Sequence, residues 1–334
     1  MERFIYLVIK ILVMVSEYNP GDKILEKYAK VMVNFGLNNG KGLKKGEVVF
    51  LNVPENAKLF LKHLYKEILL KGGHPIIHFT PDGMGADIYE YGSKEQISYF
   101  PSKLLKGRID EIDHQLLVIA ENNPKELSNV DPKKIMLSQK IMLPYMKWRE
   151  EKENNRKFSW TLCLYPTAAK AKDAKMSLKE YWKQVIDACY LLEKDPVKKW
   201  QKVQAQIKNT IKKLDALEIN KVHIEAKNTN LWVTIGKKRR WLGGDGCNIP
   251  SFEIFTSPDW RGTNGYIEFT EPLYRFGNLI EGINLKFKDG VIIEAKASKN
   301  ENFLKQLVSV ENANKIGEFS MTDKRFSNIN KFMA

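Results

Sequence analysis

The sequence contains little cysteine, the residue whose disulfides stabilise small secreted proteins. Its 334 residues include three cysteines, Cys163, Cys189 and Cys247. They are too few and too widely spaced for a disulfide framework or a structural zinc knuckle. This usage fits a reducing cytoplasm. A chain of this length buries a sizeable hydrophobic core without covalent staples.

Several familiar catalytic motifs are also missing. The chain has no glycine-rich phosphate loop ending in Lys-Ser or Lys-Thr, no Gly-x-Ser-x-Gly elbow and no His-Glu-x-x-His helix. Residues 243–246 (GGDG) lack the flanking strand and helix of a dinucleotide site, so we predict a turn. Metal-ligand spacing is absent among the five histidines, and we predict structural roles for them: His63, His74, His78, His114 and His223.

No apolar run is long enough to cross a bilayer. Residues 4–15 are apolar apart from Lys10, but this segment is too short for a membrane span. It also lacks the basic start and the small-residue cleavage site of a signal peptide. The composition changes abruptly after Val15. We therefore expect residues 1–13 to be an upstream extension before Met14; a membrane anchor is the less favoured alternative.

The net charge of +14 leaves two interpretations open: a lysine-rich solvated surface, or a surface that binds nucleic acid. Residues 218–334 carry 17 basic and 14 acidic side chains, so most of the excess lies before them. There it follows helical stretches such as residues 194–213, interleaved with Glu and Asp. No arginine-rich run or aromatic ladder accompanies it. We favour the solvated surface and predict no nucleic-acid partner.

The first two thirds of the chain alternate between strand and helix patterns. Buried strands are predicted at residues 47–53, 74–79, 116–120 and 160–164. Helical spacing appears at residues 22–35, 57–70, 135–153, 178–191 and 196–217. Strands that alternate with helices predict crossover connections and a parallel sheet covered on both faces.

The character changes after Leu217. Apolar and polar residues alternate at residues 221–226 and 231–235, and further strand patterns follow at 265–269, 284–287 and 291–297. Such alternation is typical of half-buried antiparallel strands. We therefore predict an α/β domain over residues 14–217 and a mainly antiparallel α+β domain over residues 218–334. No Pro/Gly/Ser-rich linker separates them, so the two should pack tightly.

Residues 240–263 combine glycines, prolines and charged residues between strand patterns. Loops of this kind often carry function. Glu253 stands between Phe252 and Ile254, so we expect it to be partly buried. Its carboxylate should then need a cation or hydrogen-bond donors to stay ionised. A salt bridge to Arg261 or Arg240 is the plainer interpretation. Glu318 is a second candidate carboxylate; taken alone it is an ordinary strand-edge glutamate.

Long stretches of the chain resemble one enzyme family. These stretches include NIPSFEIFTSPDWRGTNGYIEFTEPLY and KIGEFSMTDKRFSNINKFMA, with RRWLGGDGCNIP upstream. Over residues 16–334 the sequence is similar to the thermophilic metallo-aminopeptidases, the aminopeptidase T and aminopeptidase S group. The resemblance implies a cytoplasmic homodimer that removes N-terminal residues from peptides; from the composition we expect no membrane or nucleic-acid partner. It also implies two divalent metal ions, zinc or cobalt, with magnesium or manganese as alternatives.

The resemblance assigns part of the metal site. The Asn-x-Pro-Ser-x-Glu motif places a metal-binding glutamate at Glu253, and the Gly-Glu motif places another at Glu318. Cys247, in the glycine turn, should lie near them. It assigns no catalytic or substrate-binding residue in this chain.

The sequence also differs from the family pattern after the Gly-Glu motif. In the family two histidines, an aspartate and a tyrosine follow the Gly-Glu motif, whereas no histidine here follows Glu253. We therefore expect a C-terminally truncated member with little activity by itself. An inactive binding or structural relative of the same fold is the alternative.

Overall fold

The computed structural model describes residues 18–331, so the predicted extension at residues 1–13 lies outside the described residues. The α-helices in chain order are α1 Asp22–Val31, α2 Lys58–Leu70, α3 Asp87–Glu90, α4 Lys94–Ile97, α5 Ser102–Glu111, α6 Pro132–Ile141, α7 Leu143–Asn154, α8 Ala168–Asp173, α9 Leu178–Ala188, α10 Pro196–Ala216 and α11 Glu301–Val308.

The strands in chain order are β1 Val48–Pro54, β2 His74–Thr80, β3 His114–Ile119, β4 Ser159–Leu164, β5 Lys221–Ala226, β6 Thr229–Thr234, β7 Leu242–Gly243, β8 Asn248–Ile249, β9 Ile254–Thr256, β10 Asp259–Glu268, β11 Leu273–Arg275, β12 Asn278–Ile280, β13 Asn284–Lys288, β14 Val291–Lys296 and β15 Phe319–Met321.

A parallel sheet in the order β2-β1-β3-β4-β8 forms the centre of the first part. Its side chains alternate between two cores, as the two-residue period of a strand requires. Leu51 of β1 packs into the main core with α1, α2 and α10, which includes Tyr28 and Trp200. Phe50 packs on the opposite face with α5 and α7. Helices therefore cover both faces of the sheet, as predicted.

Three further sheets follow α10 in the described part of the chain. One is antiparallel, in the order β14-β13-β10-β6-β5; the second is the hairpin β11–β12. The third, called here the small sheet, has the antiparallel order β15-β9-β7. The predicted fold class, a parallel α/β part followed by a mainly antiparallel α+β part, is confirmed.

Proline and glycine shift some of the predicted element bounds. The helix predicted over residues 135–153 is two helices, α6 and α7, and Pro144 lies in the first turn of α7, where its missing N–H is tolerated. The helix predicted over residues 22–35 leaves α-geometry at Val31 and continues as a π-turn to Gly36. Helices α3 to α5 between β2 and β3 were not predicted.

The boundary predicted at Leu217 stays a prediction. Helix α10 ends at Ala216, but β8 returns to pair with β4 in the parallel sheet. The main core also includes Trp241 and Phe252 from beyond α10. Both parts therefore contribute to one core. Within residues 18–331 no helix combines the length and apolar character needed to cross a membrane.

Candidate metal centre

Glu253 is placed by the short strand β8 and the loop that follows it. Leu162 of β4 lies opposite Asn248, and Leu162 donates its backbone N–H to the Cys247 carbonyl at 2.7 Å. After β8 the chain passes through the cis Ile249–Pro250 peptide. The Glu253 N–H then points to the Ser251 hydroxyl at 3.4 Å. The end of β8 thus leads directly to the candidate ligand.

An aromatic cluster fixes the position of Phe252, the residue before Glu253. Phe252 is 2% exposed and stacks on Trp200 with ring centroids 5.2 Å apart. Trp200 also stacks on Phe35 and donates its Nε1–H to the Cys189 carbonyl at 3.1 Å. Because Phe252 is buried in this cluster, the backbone at Glu253 has a defined position at the edge of the core.

The small sheet places Glu318 and Glu253 on one face. Strand β9 begins immediately after Glu253, and β15 begins immediately after Glu318. The two strands are antiparallel, with Ser320 opposite Phe255. Successive side chains alternate between the faces of a strand, so both glutamates are expected on the face that carries Phe255 and Ser320. In agreement, Glu253, Phe255 and Glu318 line one cleft.

The cleft has a volume of about 410 Å³. Its floor is apolar, formed by the aromatic and aliphatic side chains of the main core. Its polar lining comes from the two candidate ligands and from Glu153, Gln204, Asp245, Asn248 and Ser251. Glu318 also lines a second, largely apolar cavity of about 1650 Å³, bounded by α6, α11 and the antiparallel sheet. Glu318 therefore lies where the two cavities adjoin.

Neither glutamate forms an ion pair with a cation in residues 18–331. Both side chains are exposed at the cleft. Even so, the protein around Glu253 displaces enough water to raise its pKa, and the Glu318 carboxylate raises this pKa further. The arginines considered from sequence are engaged elsewhere, since Arg261 binds Asp259 at 2.7 Å and Arg240 lies 3.7 Å from Asp215. The salt-bridge interpretation of Glu253 is therefore wrong.

A glycine turn that begins in β7 forms part of the cleft wall. Gly243 has φ +147°, and a Cβ on it would lie 2.2 Å from the Glu253 carbonyl oxygen. Gly246 has φ +83°, and a Cβ there would lie 2.9 Å from the Gly36 carbonyl oxygen. The predicted turn is present, and its glycines are required because two backbone segments approach the turn closely.

Cys247 lines the cleft with the glutamates, as expected from sequence. Burial raises the pKa of its thiol well above the ordinary value, and the neighbouring Asp245 carboxylate raises it further. The thiol is therefore protonated at neutral pH. In that state it is a poor nucleophile and a poor metal ligand.

The donor set fits part of a metal centre. Two carboxylates that repel each other across a cleft suit a divalent cation, because the cation would neutralise both. A hydrolytic zinc site, however, has three protein ligands and a water. No group of three or more His, Cys, Asp or Glu converges on a common point anywhere in residues 18–331. The two glutamates therefore supply an incomplete ligand set.

None of the five histidines lines this cleft. His114 is buried between the Glu47 carboxylate at 3.0 Å and the Ser159 hydroxyl at 2.9 Å. His223 stacks on Trp232 with centroids 4.1 Å apart. These contacts agree with the structural roles predicted from sequence.

Sequence reasoning did not single out three of the polar cleft residues. Glu153 ends a helix pattern and looks like a solvated helix residue, yet its carboxylate accepts the Trp160 Nε1–H at 3.0 Å at the cleft wall. Gln204 lies on α10 and donates to the Gly244 carbonyl at 2.7 Å. Asp245 accepts the Cys247 N–H at 3.0 Å. Only the proximity of Asp245 to the NIPSFE motif could have indicated such a place.

Comparison with known proteins defines the class of protein to which the chain belongs. Residues 21–334 match the family model described as thermophilic metalloprotease (M29). The chain belongs to this metalloprotease family, whose members hydrolyse peptides with the help of metal ions. The resemblance noted from sequence is confirmed.

The relatives are aminopeptidases by name. The chain is 27% identical over 319 residues to Aminopeptidase PepS of Streptococcus thermophilus, covering 89% of this chain and 76% of that protein. It is 26% identical over 316 residues to Aminopeptidase AmpS of Bacillus subtilis (strain 168), with the same two shares. The structure of wild-type AmpT from Thermus thermophilus superposes with a TM-score of 0.79 at 23% identity, covering 90% of this chain and 78% of that one. The fold is therefore shared.

Proposed function

We propose that this protein is a metal-dependent aminopeptidase whose ions bind at Glu253 and Glu318. One observation carries the proposal: two carboxylates from distant segments line a single cleft, and no cation of the described residues pairs with either of them. The names of the relatives give the same activity. The number of ions is proposed as two, zinc or cobalt, with magnesium or manganese as alternatives.

Each part of the cleft has a role in this proposal. Bound divalent ions would supply Lewis-acid activation of the peptide carbonyl and of a water molecule. Glu253 and Glu318 would hold them, and the small sheet would fix the separation of the two carboxylates. Trp200, which is stacked on Phe252, would exclude water from the floor of the cleft. The adjoining cavity of about 1650 Å³ offers apolar surface for the remainder of a peptide.

We further propose that the 334-residue chain by itself has little activity. Two carboxylates leave a catalytic ion underliganded, because such an ion needs three protein ligands besides its water. The imidazoles of His114 and His223 are held in other contacts. A binding or structural protein of the same fold stays the second candidate, favoured by the incomplete ligand set. A homodimer in the cytoplasm is also proposed; the free thiols of Cys163, Cys189 and Cys247 support the location.

The test compares this chain with a chimera. In the chimera, the residues of Bacillus subtilis Aminopeptidase AmpS that follow its Gly-Glu motif replace those after Glu318. An aminoacyl-anilide assay with added cobalt or zinc should detect turnover in the chimera and at most a trace in the chain alone. Glu253→Gln in the chimera should remove that turnover, and Glu225→Gln, an exposed change on β5, should not.

Three outcomes would count against the proposal. Equal turnover by chain and chimera would move the ligands to other residues, such as His74, His78 or His223. Turnover of the chimera that survives Glu253→Gln would remove Glu253 from the site. A folded chimera that neither binds metal nor turns over would favour the binding or structural protein.

A further inference from the structure

The outer edge of the parallel sheet is open at β2. This strand lies at the end of the sheet, paired only with β1. His74 donates its N–H to the Glu47 carbonyl at 2.9 Å, so even-numbered residues of β2 bond to β1. The odd-numbered residues then direct their backbone groups away from the sheet: Pro75, Ile77 and Phe79. No residue in the described part of the chain pairs with them.

Both faces of this edge expose apolar side chains. Ile77 and Phe79, 47% and 39% exposed, lie on the side of the main core. Ile76, 40% exposed, lies on the other side. Folded proteins usually protect an edge strand with charges or cover it, because unpaired backbone groups next to apolar side chains promote association. Pro75 is the one such protection within β2.

The two ends of β2 carry opposite charges. Lys45 and Lys71 lie at its beginning, where the Gly46 N–H bonds to the Gly72 carbonyl at 2.8 Å. Glu55 and Asp82 lie at its end, where the Asp82 N–H bonds to the Glu55 carboxylate at 3.2 Å. All four side chains are exposed. None of them forms an ion pair within residues 18–331.

We propose that a second copy of the chain pairs with this edge, antiparallel, about a two-fold axis near Ile77 and His78. This rests on the homodimer proposed above and names its surface. Antiparallel pairing sets the basic end of each strand against the acidic end in the other copy. Parallel pairing would instead place the two basic ends together and the two acidic ends together, and like charges are unfavourable across a strand pair.

The backbone allows two registers. Either Ile77 lies opposite its own copy, or His78 does. Because Pro75 has no N–H, each register makes four hydrogen bonds, two from each copy, donated by Ile77 and Phe79. The pairing uses the open edge of both copies, so the assembly closes as a dimer and joins the two parallel sheets into one.

Ile77→Pro tests the surface with a small change. It removes an outward N–H and an apolar side chain, and it leaves the bonds to β1 intact because residue 77 points away from them. Losing these contacts from both copies should raise the dimer dissociation constant at least about tenfold in sedimentation equilibrium. Ile77→Val, which keeps the N–H and the apolar character, should leave it within about twofold. Far-ultraviolet circular dichroism checks that both variants fold.

A crosslinking experiment does not depend on the proline variant. Ile77→Cys or His78→Cys, whichever lies on the axis, should form a disulfide-linked dimer within minutes under mild oxidation at low protein concentration. Ile293→Cys, at a residue that is 55% exposed on the edge strand β14, should not. The residue that crosslinks identifies the register.

The outcomes separate the two proposals. A monomeric wild-type chain would overturn both the homodimer and this surface. A dimer that survives Ile77→Pro and crosslinks at neither β2 cysteine would overturn the surface and leave the homodimer. Growth into larger assemblies instead of a dimer would overturn the two-fold arrangement.

Discussion

Glu253 and Glu318 line the same cleft, and the carboxylate of Glu318 raises the pKa of Glu253. The antiparallel pairing of β9 with β15 puts both glutamates on one face of the small sheet, at opposite ends of a ladder of three residue pairs. This placement accounts for the charge repulsion between the two carboxylates, and it is the basis of the metal site proposed above.

We expect Glu318→Gln to lower the pKa of Glu253 without returning it to the ordinary value. Loss of water around Glu253 is the larger cause of its raised pKa, and the Glu318 charge is the smaller one. Carbon-13 NMR of a Glu-labelled, metal-free sample over a pH series measures this directly. A pKa unchanged by the substitution would show that the two carboxylates are too far apart to share an ion.

The raised pKa also fixes how Glu253 contributes to stability. Between its ordinary and its raised pKa the folded state binds more protons than the unfolded state, so the stability contribution falls as pH rises. Glu253→Gln in EDTA should therefore raise the melting temperature at pH 8 and leave it nearly unchanged at pH 4. Because Glu253 is exposed, the gain should be below about 1 kcal/mol. A gain that is larger at pH 4 would contradict the sign.

Bound metal should reverse the destabilising effect of the ionised Glu253 side chain. The wild-type chain should gain stability from added zinc or cobalt, since a ligand that binds only the folded state stabilises it by mass action. Glu253→Gln and Glu318→Gln should each weaken binding at least about tenfold in isothermal titration calorimetry. Glu225→Gln, remote from the cleft, is the control. Equal metal affinity in all four proteins would exclude both glutamates as ligands.

Gly243→Ala should disturb the site through the backbone. The new Cβ would lie 2.2 Å from the Glu253 carbonyl oxygen, and the φ of +147° disfavours any side chain. We expect a loss of about 1–3 kcal/mol in the free energy of unfolding, with weaker metal binding. Gly107→Ala on α5 is the matched control. There a Cβ meets nothing within 4 Å, so the variant should gain up to about 1 kcal/mol in urea denaturation.

Trp200→Ala should remove the support beneath Phe252. Trp200 is 2% exposed, so its truncation should cost about 3–5 kcal/mol. The matched change, Trp232→Ala, removes a side chain that is 42% exposed and stacked on His223, and it should cost below about 1 kcal/mol. Equal losses in denaturant unfolding would show that the Trp200 stack does not anchor the cleft.

The sequence by itself determined the fold class. Leu51 and Phe50 show why: a parallel strand covered on both faces carries apolar residues at consecutive positions, which the sequence displays directly. The alternating pattern around Trp232 likewise marks an antiparallel sheet with one exposed face. The motifs around Glu253 and Glu318 identified the family, because they are long enough to be specific.

Only the tertiary structure decided how these parts meet. β8 has two residues, too few to show a period, so its place beside β4 depends on backbone pairing with a distant strand. From sequence, Arg261 and Arg240 were equally plausible ion-pair partners for Glu253. In the fold they pair with Asp259 and Asp215 instead. The β9–β15 pairing put Glu318 on the same face of the small sheet as Glu253. Local patterns record the period of a single element, whereas contacts between distant segments depend on packing the whole core.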